Sequence, residues 1–320
     1  MSLSTPGSQN RARGRFAAHS SPPPVSLPRV LSKFGFCSRR LAEVLIESGR
    51  VRVDGRVVRN AGVRVDPQRA TICVDGRRLV SAAKVYLLLN KPRGLLTTYG
   101  DPQGRKTVYD CLAGHDLPFL APVGRLDCAS EGLLLMTNDT RWAHRLLDPA
   151  SNVDKVYHVQ IDRRPDEALL TGLREGAAHD GERLAAKSVA PLRVGERNAW
   201  LEVVLSAGRN RQIRRMMALN GAEVLRLVRV AVGGLRLGDV RKGAFRHLTN
   251  AERACLAAGG RTDSIRRSPT AGRAENGRET FSAERLLQRS VATSSIRSDT
   301  GRDHLRMPTE GGVALGRHLI

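Results

Sequence analysis

In this 320-residue chain, apolar residues recur at helix or strand periods only between about positions 27 and 250, and this limits which part can fold. Residues 1–26 hold Ser, Gly, Arg and the run Pro22-Pro23-Pro24, with almost no periodic apolar positions. So little apolar surface cannot offset the entropy of ordering, and the stretch reads as a disordered arm. Beyond about Thr262 the chain is again rich in Ser, Arg, Gly and Thr, with one short apolar cluster from Phe281 to Leu287. Residues 251–320 are accordingly expected to form a disordered basic tail. The stretch between has length for about two domains. No apolar run nears the roughly 18 residues that span a bilayer, and the N-terminus lacks the blocks of a secretory signal, so a soluble, cytoplasmic protein without membrane contact is expected.

Charge narrows the partner. Lys and Arg number 53 against 31 Asp and Glu, a formal charge of +22, which points to nucleic acid. The five cysteines, at 37, 73, 111, 128 and 255, are scattered, with no Cys-x-x-Cys and no His pairing at zinc spacing. Neither structural metal nor disulfide is expected. No phosphate-binding Gly-rich loop, no Gly-x-Gly-x-x-Gly after a strand and no His-Glu-x-x-His occurs. Nucleotide hydrolysis, dinucleotide chemistry and zinc proteolysis lose support, and no cofactor is expected.

From 27 to 84 the pattern predicts two short helices and a small sheet. Val30, Leu31 and Phe34 fall at helical spacing before Gly35; Ser38 is placed to cap a second helix carrying Leu41, Val44, Leu45 and Ile46, with Gly49 as its stop. Val51 to Val57 and Ile72 to Leu79 are alternating strands, each interrupted by Asp-Gly, a strong hairpin signal. This unit holds 13 Lys/Arg and 5 Asp/Glu (13 − 5 = +8). Arg39 and Arg40 open the second helix, where backbone N–H groups, the helix dipole and two guanidinium groups would meet phosphate together. With Lys33, they read equally as a solvated helix face on residue type alone. The run from Leu31 to Ala42, followed by Ser48 to Gly55, closely resembles the small RNA-binding domain first seen in ribosomal small-subunit protein S-four. That resemblance implies docking on structured RNA through the helix pair and the following loop, with Lys33, Arg39 and Arg40 at the RNA.

From 85 to 250 strands outnumber helices. Strands are predicted at Val85 to Leu89, Leu95 to Tyr99, Gly132 to Thr137, Val156 to Ile161, Trp200 to Leu205 and Val224 to Val232. Helices fit Thr140 to Leu147, capped by Asn138 or Asp139, and Arg211 to Leu219. The expected class is α+β, with a mixed, largely antiparallel sheet and flanking helices.

The densest chemical signal is Gly124-Arg125-Leu126-Asp127, followed by Ser130-Glu131-Gly132 and an apolar run ending at Thr137-Asn138-Asp139. On spacing alone, Asp127 reads as a turn carboxylate beside an Arg. The segment resembles the signature of the bacterial ribosomal-RNA pseudouridine synthases of the small-subunit uridine type. Further segments agree in order: Tyr86 to Thr98 with Asn90-Lys91-Pro92, Lys155-Val156-Tyr157, Gly208 to Met216, and Gly243 to Thr249. The likeness spans residues 27–249.

The resemblance implies a pseudouridine synthase fold and isomerisation of a specific uridine in ribosomal RNA by a monomer, without cofactor. Asp127 would be the catalytic carboxylate, acting either as nucleophile at C1′ or as base at C2′. Arg214 would stabilise its charge; Tyr157 and Ile213 would hold the two faces of the uracil, with the Tyr157 hydroxyl near the C5 proton. Arg125 would fill the space left by the flipped base, and Arg209, Arg211 and Arg215 would hold phosphates. Leu126, Asn210 and Gln212 are carried over as substrate contacts. A non-catalytic RNA-binding assembly factor that kept the fold would be expected to have lost at least one of Asp127, Tyr157 and Arg214. The chain departs from the pattern at Cys128, beside the catalytic-type Asp, and at Ala207, where a Glu that would brace the basic loop is usual.

Overall fold

The computed structural model describes residues 23–257. Residues 1–22 of the expected arm and 258–320 of the expected tail, with the Phe281–Leu287 cluster, lie outside the described residues.

The first part contains β1 (Val25–Ser26), α1 (Leu27–Lys33), α2 (Arg39–Glu47), β2 (Val51–Val53), β3 (Arg56–Val58), β4 (Arg64–Val65), β5 (Ile72–Val74) and β6 (Arg77–Arg78). Both Asp-Gly turns form as the sequence predicts. Asp54 and Gly55 have φ of 49° and 80°, Asp75 and Gly76 of 50° and 77°, the paired left-handed residues that a tight two-residue hairpin requires. Strands β3-β2-β5-β6 make one sheet, and Leu27, Leu31, Leu45, Ile46, Val51 and Ile72 share a core beneath it. Ser38 Oγ accepts from the Leu41 N–H at 3.2 Å, the expected N-cap.

The boundary drawn at 26 needs correction. Val25 and Ser26 pair with Val65 and Arg64, and the Arg64 guanidinium donates to the Pro24 carbonyl at 2.6 Å, so order starts inside the stretch assigned to the arm. Backbone pairing orders these residues, and apolar periodicity does not register it. The turn between α1 and α2 is also tied to segments later in the chain. Gly35 accepts from the Phe119 N–H at 2.8 Å, and Phe34 from the Ala82 N–H at 3.0 Å. At Gly35, φ is +76° and a Cβ would meet Pro118 Cβ at 3.0 Å, so glycine suits both the turn and the close packing.

The second part runs β7 (Tyr86–Lys91), β8 (Ala121–Val123), β9 (Glu131–Thr137), α3 (Thr140–Leu147), β10 (Lys155–Ile161), α4 (Glu167–Glu175), β11 (Ala177–His179), β12 (Glu182–Leu184), β13 (Ser188–Val194), β14 (Ala199–Leu205), α5 (Gln212–Leu219), β15 (Val224–Val232), β16 (Leu235–Arg236), β17 (Phe245–His247) and α6 (Asn250–Ala257). The large sheet has the order β13-β14-β10-β15-β9-β7-β17, with β8 on β9 and β16 on β15. Its pairings are antiparallel except β15 with β9, so the class is α+β with a mixed, largely antiparallel sheet. Alternate residues of β9 serve opposite faces. Leu134 and Met136 join the core against α4 and α5, while Leu133 and Leu135 join the one against α3 and α6. Burial on both faces explains why this strand reads as an unbroken apolar run.

Two expectations fail here. Leu95 to Tyr99 forms no strand; it makes a single bridge, Leu96 to Thr107, and Gly94 N–H is tied to the Cys128 carbonyl at 2.7 Å. Helix α6 extends to Ala257, past the boundary at 250, because Leu256 is buried in the α3-side core and Glu252 pairs with Arg246 at 2.7 Å.

Glu131 secures the seam between β9 and β15. Its buried carboxylate receives Arg226 through Nε at 2.8 Å and Nη2 at 3.0 Å, and Lys242 Nζ lies 2.6 Å away. The Arg226 hydrogen bond, opposed by burial and helped by Lys242, holds the Glu131 carboxyl down from 4.5 to about 2. A depressed folded pKa stabilises the fold above the unfolded value, and that contribution is lost as pH falls from about 4.5 to about 2. Glu131→Gln should therefore lower the urea midpoint at pH 7 and flatten its fall between pH 4.5 and 2. Equal acid sensitivity of variant and wild type in denaturant titrations would refute this role.

Candidate active site

The loop carrying Asp127 is held from below by a buried ammonium. Lys91, the last residue of β7, is fully buried, and its Nζ donates to the carbonyls of Ser130 at 2.8 Å, Pro92 at 3.0 Å and Asp127 at 3.1 Å. Burial lowers the Lys91 pKa, and the neighbouring Cys128, Asp127 and Glu131 oppose that shift. Thr97 Oγ1 donates to the Leu126 carbonyl at 2.6 Å, and Ser130 N–H closes the turn onto the Asp127 carbonyl at 3.0 Å. Gly132 then allows β9 to meet β15, since a Cβ there would lie 2.3 Å from the Arg229 carbonyl oxygen.

This places Asp127 at a cleft of about 200 Å³ together with Arg125, Leu126, Tyr157, Arg211 and Ile213. Tyr157 projects from β10, Ile213 from the first turn of α5; both are buried, as is Leu126. The Asp127 side chain is 37% exposed and Arg125 is exposed, so solvent reaches both. The cleft thus offers a carboxylate, a tyrosine and apolar walls within one small volume.

Among the described residues, the cation within 4 Å of the Asp127 carboxylate is not the expected one. Arg211 Nη1 lies 3.8 Å from Asp127 Oδ2. Arg214 instead donates to the carbonyls of Val224 at 3.1 Å and Ala129 at 3.4 Å, and among the described residues it forms no ion pair. The difference follows from the start of α5. Arg211 caps the helix in a left-handed conformation, φ 47°, while Arg214 lies within the helix. Burial lowers the Arg214 pKa, Arg211 adds to the shift, and Asp127 opposes it, so Arg214 still senses the carboxylate.

The remaining residues divide. Arg209 lines the cleft but donates to the Arg183 carbonyl at 3.0 Å, with Glu182 3.8 Å away. Arg215, expected at a phosphate, pairs with Glu182 at 3.3 Å and Asp180 at 4.0 Å and is absent from the cleft lining. Glu182, on the hairpin turned by Asp180-Gly181, thus braces the basic loop where Ala207 does not. Gln212 is buried as a strut, donating to the Ala185 carbonyl at 3.2 Å and accepting from Arg209 N–H at 3.3 Å. Asn210 is exposed and outside the cleft lining. Lys33, Arg39 and Arg40 stand apart on the first two helices, Arg39 and Arg40 exposed. Burial lowers the Lys33 pKa, and repulsion from Arg141, Arg29 and Lys84 adds to this, marking a local excess of positive charge.

Comparison with known proteins gives the family. Residues 85–219 match the RNA pseudouridylate synthase family model, and residues 25–69 match the S4 domain. A Mycobacterium tuberculosis protein described as an uncharacterized RNA pseudouridine synthase is 41% identical over 231 residues, covering 71% of this chain and 91% of the relative. The chain belongs to the RNA pseudouridine synthase family. An Aquifex aeolicus protein of the same description is 37% identical over 234 residues, covering 72% of this chain and 93% of that protein. A solved structure titled as a pseudouridylate synthase matches with a TM-score of 0.51 and 27% identity, covering 72% of this chain and 99% of that one.

In the sequence, Lys91 stands out only as part of a motif. A lysine closing the apolar strand Tyr86-Leu87-Leu88-Leu89 was the available signal, because a charge there must find acceptors. Lys91→Met would leave several buried carbonyls without donors, at roughly 1–3 kcal/mol each. The expected result is a lower melting temperature and a kcat reduced by roughly 10²-fold through misplacement of Asp127, with KM little changed. Tritium release from C5-labelled uridine, measured at subsaturating and saturating RNA, separates the two constants; a pure KM effect would count against a positioning role.

Proposed function

We propose that this synthase converts one uridine of ribosomal RNA to pseudouridine, acting in the cytoplasm as a monomer, with Asp127 as the catalytic carboxylate. The observation that carries this reading is the convergence of Asp127, Tyr157 and Ile213, from three separated motifs, on one cleft.

The reaction breaks the bond from ribose C1′ to uracil N1, turns the base and joins C1′ to C5; C5 gives up its proton and N1 gains one. Atoms balance without a cofactor. Asp127 starts it at the ribose and needs to be ionised. Arg211, 3.8 Å away, supplies the neighbouring positive charge, while Arg214, bonded to the Ala129 carbonyl, holds the far side of the same loop. Tyr157 and Ile213 bound the uracil as it turns, and the Tyr157 hydroxyl is the group for the C5 proton. The uridine must leave its stack to reach Asp127, at a cost of a few kcal/mol. Arg125, exposed beside Asp127, suits the vacated space because a guanidinium stacks on bases and pairs with phosphate. Lys33, Arg39 and Arg40 extend the contact along structured RNA.

Asp127→Asn keeps the side-chain size and removes the ionisable group. Turnover by tritium release should fall by more than tenfold while filter binding to ribosomal RNA stays within a few-fold. Retained turnover would remove Asp127 from the mechanism, and activity only with an added metal or nucleotide would contradict the reaction as written. Mapping pseudouridine in ribosomal RNA from cells with and without the gene identifies the uridine.

A further inference from the structure

Strands β9 and β15 pair in parallel over only two positions, Glu131 with Val228 and Gly132 with Arg229. Beyond them the Arg229 side chain reaches over to β9, its Nε donating to the Leu133 carbonyl at 2.7 Å. Arg229 is 7% exposed and lines the same cleft as Asp127. Among the described residues no carboxylate pairs with it, and Nη1 and Nη2 have no hydrogen-bond partner. Neither atom is sealed from solvent, so both remain reachable through the cleft.

A second cation stands close by. Lys155, two residues before Tyr157 on β10, also lines the cleft, and its Nζ has one acceptor, the Ser206 carbonyl at 3.2 Å. Burial lowers its pKa, the Arg229 charge adds to that shift, and Asp154 opposes it. The local carboxylates are taken. Asp154 holds Lys187 at 2.6 Å, Glu131 holds Arg226 and Lys242, and Asp127 faces Arg211. The cleft lining as a whole carries five cations, Arg125, Lys155, Arg209, Arg211 and Arg229, against Asp127 alone.

We propose that Arg229 and Lys155 form a seat for a phosphodiester group flanking the target uridine. A buried guanidinium beside a half-buried ammonium, with donors free, calls for an acceptor that also brings negative charge. A phosphodiester supplies both, and the planar guanidinium suits two of its oxygens. A uracil carbonyl would satisfy a donor and leave the repulsion in place. The seat would draw the backbone of the flipped nucleotide into the floor of the cleft beside Tyr157. The proposal rests on the reading that this cleft takes a uridine from RNA.

The test uses the full chain with Arg229→Met, Arg229→Lys and Lys155→Met. Binding to bulk ribosomal RNA is measured across KCl concentrations. It is measured again on a fragment holding the converted uridine, with one neutral methylphosphonate placed 5′ or 3′ to it. Wild type should lose roughly tenfold in affinity when one of these two positions is neutral. Arg229→Met and Lys155→Met should each bind the unmodified RNA about tenfold more weakly, show little further loss on methylphosphonate, and have a salt slope smaller by about one. Arg229→Lys should keep most of the wild-type sensitivity. A wild type indifferent to methylphosphonate at both positions would overturn the seat. So would Met variants that lose thermal stability but keep the full salt slope, which would leave Arg229 as a strut between β9 and β15. Should wild type convert no uridine, the functional reading fails separately, and the salt slopes on bulk ribosomal RNA still judge the seat.

Discussion

The cleft beside Asp127 depends on how closely two parallel strands approach one another. Strands β13, β14, β10 and β15 form one half of the large sheet and β9, β7 and β17 the other, joined through the short contact at Gly132 and Arg229. Asp127 stands on the loop entering one half and Tyr157 on a strand of the other. A side chain at position 132 would drive the halves apart, since its Cβ would sit 2.3 Å from the Arg229 carbonyl oxygen. Glu131 strengthens the seam with Arg226 and Lys242, and Arg229 adds its bond to Leu133. Because the parallel pairing is so short, the sheet holds together without being filled, and the cleft opens beside the seam.

Positive charge is handled differently across the molecule. Near Asp127 the guanidinium groups are sorted by partner: Arg209 and Arg215 toward Glu182, Arg214 onto carbonyls, Arg211 toward the catalytic-type carboxylate. On α1 and α2 the cations Lys33, Arg39 and Arg40 are on the RNA-binding unit, whose inter-helix turn is packed at Gly35 against Pro118 and Ala82. That packing ties the basic helices to the second part through direct contacts, so the basic surface and the cleft are held by the same framework.

Much of the architecture was legible in the residues. The Asp-Gly turns, the Ser38 and Asp139 caps and the apolar run of β9 each carry a local physical cause, and each forms. The motif around Asp127, read by resemblance, pointed to the loop that lines the cleft. The weakly patterned pieces were not legible. The hairpin β11–β12 carries a local signal, Asp180-Gly181 with φ of 51° and 75°, but between strands too short and exposed to show a period. Helix α4 and the edge strand β13, most of whose residues are exposed, are set by packing and pairing with neighbouring segments. The short strand β1 and the end of α6 escaped for the same reason.

Residue types and their order determined the family, the basic character and the chemical groups delivered to the site, because these depend on composition and local pattern. Tertiary structure alone decided the partners. Arg211 rather than Arg214 faces the Asp127 carboxylate because one residue turns left-handed at a helix start. Glu182 stands in for the missing carboxylate at Ala207 because a hairpin some 25 residues earlier folds onto the basic loop. Lys91 supports the Asp127 loop because carbonyls from Pro92 to Ser130 converge on one buried point. Such contacts are set by distances of a few ångströms between segments far apart in the chain, and no local pattern of side chains encodes them.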